Sequence, residues 1–339
     1  DDSMILPYSN DMWPLGYAVG DETRRKMYPE LPRYVNDIPM GIVRDWVSMD
    51  KLTSMQGLRA VNFIRESAGK EKPFFLYLAT SMPHTPLGAS SDFKGKGATP
   101  FADTMADIDR TVGAVLKALA DKGVENNTIV VFTSDNGPWL NFGRHAGSAG
   151  PFREGKGTTF EGGVRVPFLV RWPGRVPAGR VDDATVIGGI DFMPSLCALA
   201  GVRLPEGHAA DGEDLSRALL GGVVDRARPL MWEWRFGIAG HVINRSPQLS
   251  IRDGEWKLLL NPDRSRVELY AINRDPSEID NLAAQHPDVV DRLARRVLEW
   301  QRGLPAGPAD ATAGRNDYPW PGRPPPPAPA RGGRKAKSD

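Results

Sequence analysis

Thr128–Pro138 reads TIVVFTSDNGP. Its first seven residues form a strand-length, largely apolar and β-branched run, the pattern of a strand buried on both faces. Asp135-Asn136-Gly137 then ends it with ordinary turn chemistry. The same Asp and Asn also offer the hard oxygen donors that Ca²⁺ and Mg²⁺ take, at a strand's carboxyl end, where open α/β sheets place their ligands. On these residues alone, turn and ligand readings both stand.

Working outward, Pro73–Thr80 (PFFLYLAT) and Val166–Trp172 (VPFLVRW) are two further apolar runs of strand length. Between and around them, apolar residues recur at helical spacing. Leu52, Met55, Leu58, Val61 and Ile64 predict a helix over 48–69, stopped at Gly69. Met105, Ile108, Val112, Val115, Leu116 and Leu119 predict another over 103–122, with Gly123 at its C′ position. Asp191–Ala200 reads as a helix stopped by Gly201. Apolar strands alternating with amphipathic helices predict an α/β domain with a largely parallel sheet. Residues 1–47 show little periodicity and are expected to be an irregular lead-in.

Beyond about residue 228 the texture changes. Ser250–Arg252, Glu255–Leu260 and Val267–Tyr270 are short and separated by Asp253-Gly254 and Asn261-Pro262-Asp263, which is hairpin spacing. A helix over Leu282–Trp300 closes this part. Residues 302–339 include the run Pro324–Pro327 and read as a disordered Pro-rich tail. The expected organisation is therefore 1–228, an α/β domain; 229–301, a small antiparallel sheet with a helix; and 302–339, the tail.

Composition narrows the function classes. The 339 residues carry 43 basic and 42 acidic side chains, so no global charge draws the chain to nucleic acid or anionic lipid. No apolar run reaches the roughly 18 residues of a membrane span. One cysteine excludes an intrachain disulfide framework and a Cys-rich zinc module. That residue, Cys197, falls mid-helix on an apolar pattern and is expected to be core packing. The 36 glycines and 30 prolines exceed the roughly 7% and 5% of average usage, which points to long loops and the tail. The first residues, DDSMILPYSND, have neither the basic nor the apolar region of a signal peptide.

Two more segments could carry chemistry. His84, in SMPHTP, follows the PFFLYLAT run, where a histidine can donate to an anion or protonate a leaving group. Lys156 lies in GPFREGKGTTFEGGVR (150–165). Gly157 follows the lysine where a P-loop needs Ser or Thr, and the segment leads to a strand rather than a helix, so nucleotide binding is rejected. What remains is a lysine between glycines, where backbone can approach an anion closely.

The ordered set PFFLYLATSMPHTPL, TIVVFTSDNGP and GSAGPFREGKGTTFEGGVRVPFLVRWPGRVPAG, with WKLLLNPDRSRVELYAINRDPSEIDNLA behind it, resembles the type I sulfatases (the arylsulfatase and N-acetylgalactosamine-6-sulfatase-like family) over about residues 1–300. The resemblance implies an alkaline-phosphatase-like sheet sandwiched by helices, its front strands missing, plus the small C-terminal antiparallel sheet. It implies Ca²⁺ held by Asp135 and Asn136, and His84 and Lys156 as catalytic and sulfate-binding residues. Arg144 and His145, in NFGRHAGSAG, are candidate substrate contacts, and Glu161 and Arg165 a pair bracing the Gly-rich loop. Trp232, Glu233, Trp234, Arg235 and His241 are weaker candidates for sugar or aryl contact, with packing favoured for the tryptophans; His208 and His286 receive no role. The implied partner is a sulfated small molecule or glycan in an exported protein, its oligomeric state left open.

The family's nucleophile is a formylglycine made from a C/S-x-P-x-R motif, and these 339 residues contain none. The family's Asp-Asp pair and Lys-x-His segment have no counterpart either. The expectation is an N-terminally incomplete sulfatase that is inactive as it stands. Two alternatives share the anion-site residues: a phosphatase or phosphodiesterase of the same superfamily, and a non-catalytic binder of sulfated glycans.

Overall fold

The computed structural model describes residues 2–11, 30–236, 245–311 and 313–314. His241 and most of the Pro-rich tail lie outside the described residues.

The expected irregular lead-in instead contains an antiparallel sheet of β1 (Met4–Ile5), β2 (Leu31–Val35) and β3 (Ile38–Val43). Val35 pairs with Ile38 across a two-residue turn in which Asn36 and Asp37 have φ of 49° and 65°. Asn and Asp tolerate the left-handed region that such a tight hairpin requires. Strands this short carry too little alternation for a periodicity reading, so the turn dipeptide was the only signal. Leu31 and Val43 of this sheet pack with Met49, Leu52, Met82 and Ile108.

The helix predicted over 48–69 is two: α1 (Trp46–Asp50) and α2 (Leu52–Ser67). Asp45 and Ser48 form a reciprocal capping box that starts α1, Oδ1 of Asp45 accepting the Ser48 N–H at 2.8 Å. Thr99 caps α3 (Pro100–Asp121), with Pro100 in the first turn. The α2–α3 contact is close because Gly57 faces Thr111, whose Cγ2 would lie 2.6 Å from a Cβ at that position.

Two strand expectations need correction. Residues 73–80 form no ladder among the described residues; Phe74 and Leu76 pack against the Val61, Ile64 and Leu119 cluster, while Phe75 and Tyr77 are 75% and 81% exposed. The run is thus buried on one face only. The sheet is also not parallel where it is described: β4 (Val130–Thr133) pairs antiparallel with β5 (Phe168–Arg171), Val131 opposite Val170. The Gly-rich loop and the single-turn α4 (Glu161–Val164) return the chain alongside the strand it left, with no crossover helix to carry it back to the starting end.

Helix α5 (Phe192–Ala200) ends at Gly201 in the left-handed conformation, φ 67°, as its sequence predicts. Cys197 within it is only partly buried. After the short α6 (Ser216–Leu219), strands β6 (Leu230–Glu233), β7 (Leu249–Asp253), β8 (Trp256–Leu260) and β9 (Glu268–Ala271) form an antiparallel sheet in chain order. The last helix, α7 (Pro287–Arg302), starts later than expected, at Pro287 in its first turn.

Side-chain alternation divides this sheet into two working faces. Leu249, Ile251, Leu258, Leu260 and Leu269 pack on Leu293, Ala294 and Val297 of α7. Leu259 and Tyr270 face the other way and, with Ile272, enclose Phe160 of the Gly-rich loop. The C-terminal sheet therefore forms the wall against which that loop is built.

Candidate anion site

Three backbone contacts shape the segment from Gly137 to Gly163. Gly137 N donates to Gly163 O at 3.0 Å, Lys156 N to Pro138 O at 2.9 Å, and Gly162 N to Arg153 O at 2.9 Å. Glycine is required at each of these approaches: a Cβ on Gly137 would stand 1.7 Å from Gly162 O, one on Gly155 2.2 Å from Pro138 O, and one on Gly162 2.3 Å from Arg153 O. The loop therefore folds back so that Lys156 lies beside the Asp135–Trp139 turn.

The structure brings His84 and Lys156 together at Trp139. The Trp139 ring centroid is 6.0 Å from that of His84, and Lys156 Nζ lies 5.2 Å from it. Phe142 supports the indole edge-on at 4.9 Å. The only sequence signal for Trp139 was a large aromatic directly after Asp-Asn-Gly-Pro, in a loop. His84 lies between the Met82-Pro83 and Thr85-Pro86 cis peptides, with Nδ1 2.7 Å from Thr85 O. A carbonyl only accepts, so this contact assigns the proton to Nδ1 and leaves Nε2 as the second nitrogen, a donor only in the imidazolium form.

Asp135 is exposed and Asn136 half-buried at the end of β4. Asp135 Oδ1 accepts the Asn136 N–H at 2.9 Å and the Ser134 hydroxyl at 3.4 Å. Among the described residues no group of three or more His, Cys, Asp or Glu converges. The Asp135 and Asn136 oxygens have the chemistry of two Ca²⁺ donors, against the six to eight such an ion takes.

Arg144 and His145 are not gathered in. Arg144 Nη2 donates to Ala98 O at 3.1 Å, and both side chains are exposed on the short helical turn Leu140–His145. In the C-terminal segment, Glu233 binds Arg235 at 2.7 Å and Gln301 at 2.8 Å, while Trp234 packs edge-on against Phe236. The Gln301 contact ties Glu233 to the end of α7. His286 likewise packs on Trp256, ring centroids 4.9 Å apart.

Behind the loop lies an ionic cluster of which the expected Glu161–Arg165 pair is only the edge. Arg165 does pair with Glu161, at 3.5 Å, but the closer partner is Lys257, whose Nζ is 2.9 Å from Glu161 Oε1 and 2.9 Å from Glu278 Oε1. Lys257 and Glu278 are fully buried and Glu161 nearly so. One ammonium serves two carboxylates. Arg252, at 3.9 Å, adds to the positive charge around Glu161. Burial opposes ionisation of Glu161, but Lys257 and the two arginines outweigh it and hold its carboxyl below the usual range. Glu278 is the unfavoured member: burial pushes it up to about 7 in spite of Lys257.

Arg153 forms a second anchor. Its guanidinium stacks 3.7 Å over Phe160 and donates to Glu268 at 3.0 Å and the Tyr270 hydroxyl at 3.1 Å. Burial, reinforced by Glu268, raises the Tyr270 phenol far above its ordinary range, so it remains a neutral donor, bonding Glu268 at 2.8 Å. Lys257 betrays itself in sequence only as a charge inside the apolar run WKLLL.

Comparison with known proteins now assigns the class: the chain belongs to the type I sulfatase superfamily, with the alkaline-phosphatase-like architecture. Residues 46–202 match the family described as Sulfatase, and residues 154–303 match N-sulphoglucosamine sulphohydrolase, C-terminal. Among relatives, N-acetylgalactosamine-6-sulfatase of Canis lupus familiaris is 40% identical over 193 residues, 56% of this chain and 36% of that protein. N-acetylgalactosamine-6-O-sulfatase of Bacteroides thetaiotaomicron is 31% identical over 315 residues, 82% of this chain and 59% of that protein. The crystal structure of Ps i-CgsB in complex with k-i-k-neocarrahexaose superposes with a TM-score of 0.69 at 27% identity, covering 88% of this chain and 66% of that one. The chain thus spans about a third to three-fifths of the length of these two sulfatases.

Proposed function

We propose that this protein is a sulfatase-type hydrolase directed at sulfate esters of carbohydrate or aryl alcohols, with the anion held between Lys156 and His84. The observation that carries the reading is the meeting of both side chains at Trp139, directly after the Asp135-Asn136 turn. Lys156 offers a compact ammonium, and protonated His84 offers Nε2–H; both oppose negative charge on sulfate oxygens and on a departing alkoxide. Asp135 and Asn136 would supply two oxygen ligands to a Ca²⁺ ion, which adds Lewis-acid stabilisation of the same charge when bound. The carbohydrate class is supported by the named substrates of the sulfatase relatives and by the saccharide in the Ps i-CgsB complex. Residues 1–228 carry the site and 229–301 brace it; export is part of the same reading, carried by family resemblance. Arg144 and His145 are left at the rim, as contacts to the organic part of a substrate.

The absence of a C/S-x-P-x-R motif from the 339 residues makes a sharp distinction between binding and turnover. The chain is expected to bind inorganic sulfate in calorimetry, with Lys156→Ala weakening binding roughly tenfold or more, as loss of a charge-assisted hydrogen bond does. It is expected to release no sulfate from p-nitrocatechol sulfate. Sulfate binding that is insensitive to both Lys156→Ala and His84→Ala would sink the anion site, and clear turnover would sink the claim of inactivity.

A further inference from the structure

Lys257 sits on the β8 face opposite α7 with its ammonium wholly removed from water. An apolar side chain could fill this place without desolvating a charge, and such replacements are often neutral or stabilising. The buried ammonium does fix an arrangement, holding the Glu161 and Glu278 carboxylates at 2.9 Å each. What it specifies lies across the interface, 96 residues away in sequence at Glu161.

Glu161 is bound twice by residues of the C-terminal part. Its carboxylate meets Lys257, and its backbone N–H donates to Glu278 Oε2 at 2.7 Å. Glu278 itself is held in the left-handed region, φ 55°, and its carbonyl accepts from Arg153 at 3.4 Å. Arg153 and Gly162 close the neck of a ring through their 2.9 Å backbone bond, and Gly155-Lys156-Gly157 lies within that ring. Both sides of the neck are thus tied to the sheet, one through Arg153 and the other through Glu161.

We propose that Lys257, Glu161 and Glu278 are positioning residues for Lys156: the buried cluster fixes the neck of the 153–162 ring and so sets where the Lys156 ammonium stands relative to Trp139 and His84. This makes the C-terminal sheet part of the anion-binding machinery, although its cluster touches no ligand. The inference rests on the proposed role of Lys156 as an oxyanion ligand.

The test is a double-mutant cycle on the full chain, read by calorimetric titration of inorganic sulfate. Glu278→Gln is nearly isosteric and keeps an acceptor for the Glu161 N–H; Lys257→Met removes the ammonium, and Lys257→Arg returns a cation. Titrated about one pH unit above 7, where Glu278 is mostly ionised, Glu278→Gln is expected to weaken sulfate binding about fivefold to tenfold with Lys156 present, and to add nothing to Lys156→Ala. Lys257→Arg should bind more tightly than Lys257→Met. Amide exchange supplies a second readout that does not depend on measurable affinity: residues 155–157 should exchange faster in folded Glu278→Gln, with β7 and β8 unchanged. Wild-type affinity and wild-type loop exchange in folded Glu278→Gln would overturn the proposal, as would an equal loss with and without Lys156. No sulfate binding by the wild-type chain would instead overturn the role of Lys156, and the inference with it.

Discussion

Lys156 and Trp139 are joined face to charge: the lysine ammonium lies 5.2 Å from the indole centroid, and the same ring adjoins His84. A cation over an aromatic face at a partly exposed site gains about 0.5–1 kcal/mol. Trp139→Leu is therefore expected to weaken sulfate binding roughly twofold to fivefold. Trp139→Phe, which keeps a π face, should lose less. Calorimetry on the two variants orders them; equal affinity for wild type and Trp139→Leu would show that the indole does not hold the lysine.

Phe160 is fully buried between the loop and the C-terminal sheet, with the Arg153 guanidinium stacked on it. Phe160→Ala removes a large core side chain and should cost about 3–5 kcal/mol of unfolding free energy, measured by urea titration. A cost below about 1 kcal/mol would mean that the loop does not depend on this contact.

The buried carboxylates give stability a pH dependence of definite sign. Glu278 binds its proton up to about 7 in the fold against an ordinary 4.5, so between those values the folded state holds more proton than the unfolded. Its contribution is fully present below the ordinary value and is lost as pH rises towards 7. Glu161 is held low, so its contribution is present above its ordinary range and lost as pH falls through it. Thermal melts of Glu278→Gln should therefore lack the decline from about 4.5 to about 7 that Glu278 imposes on wild type. Identical slopes in the two proteins across that window would contradict the assignment.

Gly137 admits no side chain, because a Cβ would fall 1.7 Å from Gly162 O. Gly137→Ala is expected to break the Gly137–Gly163 contact, displace the Lys156 ring and abolish measurable sulfate binding, while the far-UV spectrum of the helices persists. Sulfate titration with circular dichroism on the same sample checks both halves. Gly123, with no neighbour within 4 Å at its Cβ position but φ 67°, is the control: alanine there should cost stability and leave binding intact.

Much was legible in sequence where the information is local. The α3 stripe, the stop of α5 at Gly201 and the turns of the C-terminal sheet follow from spacing of a few residues and from the conformational freedom of glycine. His84, Asp135, Asn136 and Lys156 were legible as an ordered pattern of loop residues behind apolar runs. Strand partners were not. The PFFLYLAT run looked buried on both faces, because apolar content does not say which neighbour will cover a face. The antiparallel return of β5 against β4 was hidden for the same reason.

By itself, then, the sequence determined the apolar stripes of the long helices, the stop at Gly201 and which polar groups stand in the glycine-rich loops. Only the tertiary structure decided that Trp139 joins His84 to Lys156, and that Lys257 and Glu278 hold Glu161. Helix periods and turns are set by neighbours within a few positions along the chain. The Glu161–Lys257 pair spans 96 residues, and it forms because alternation along β8 turns one face to α7 and the other to the loop.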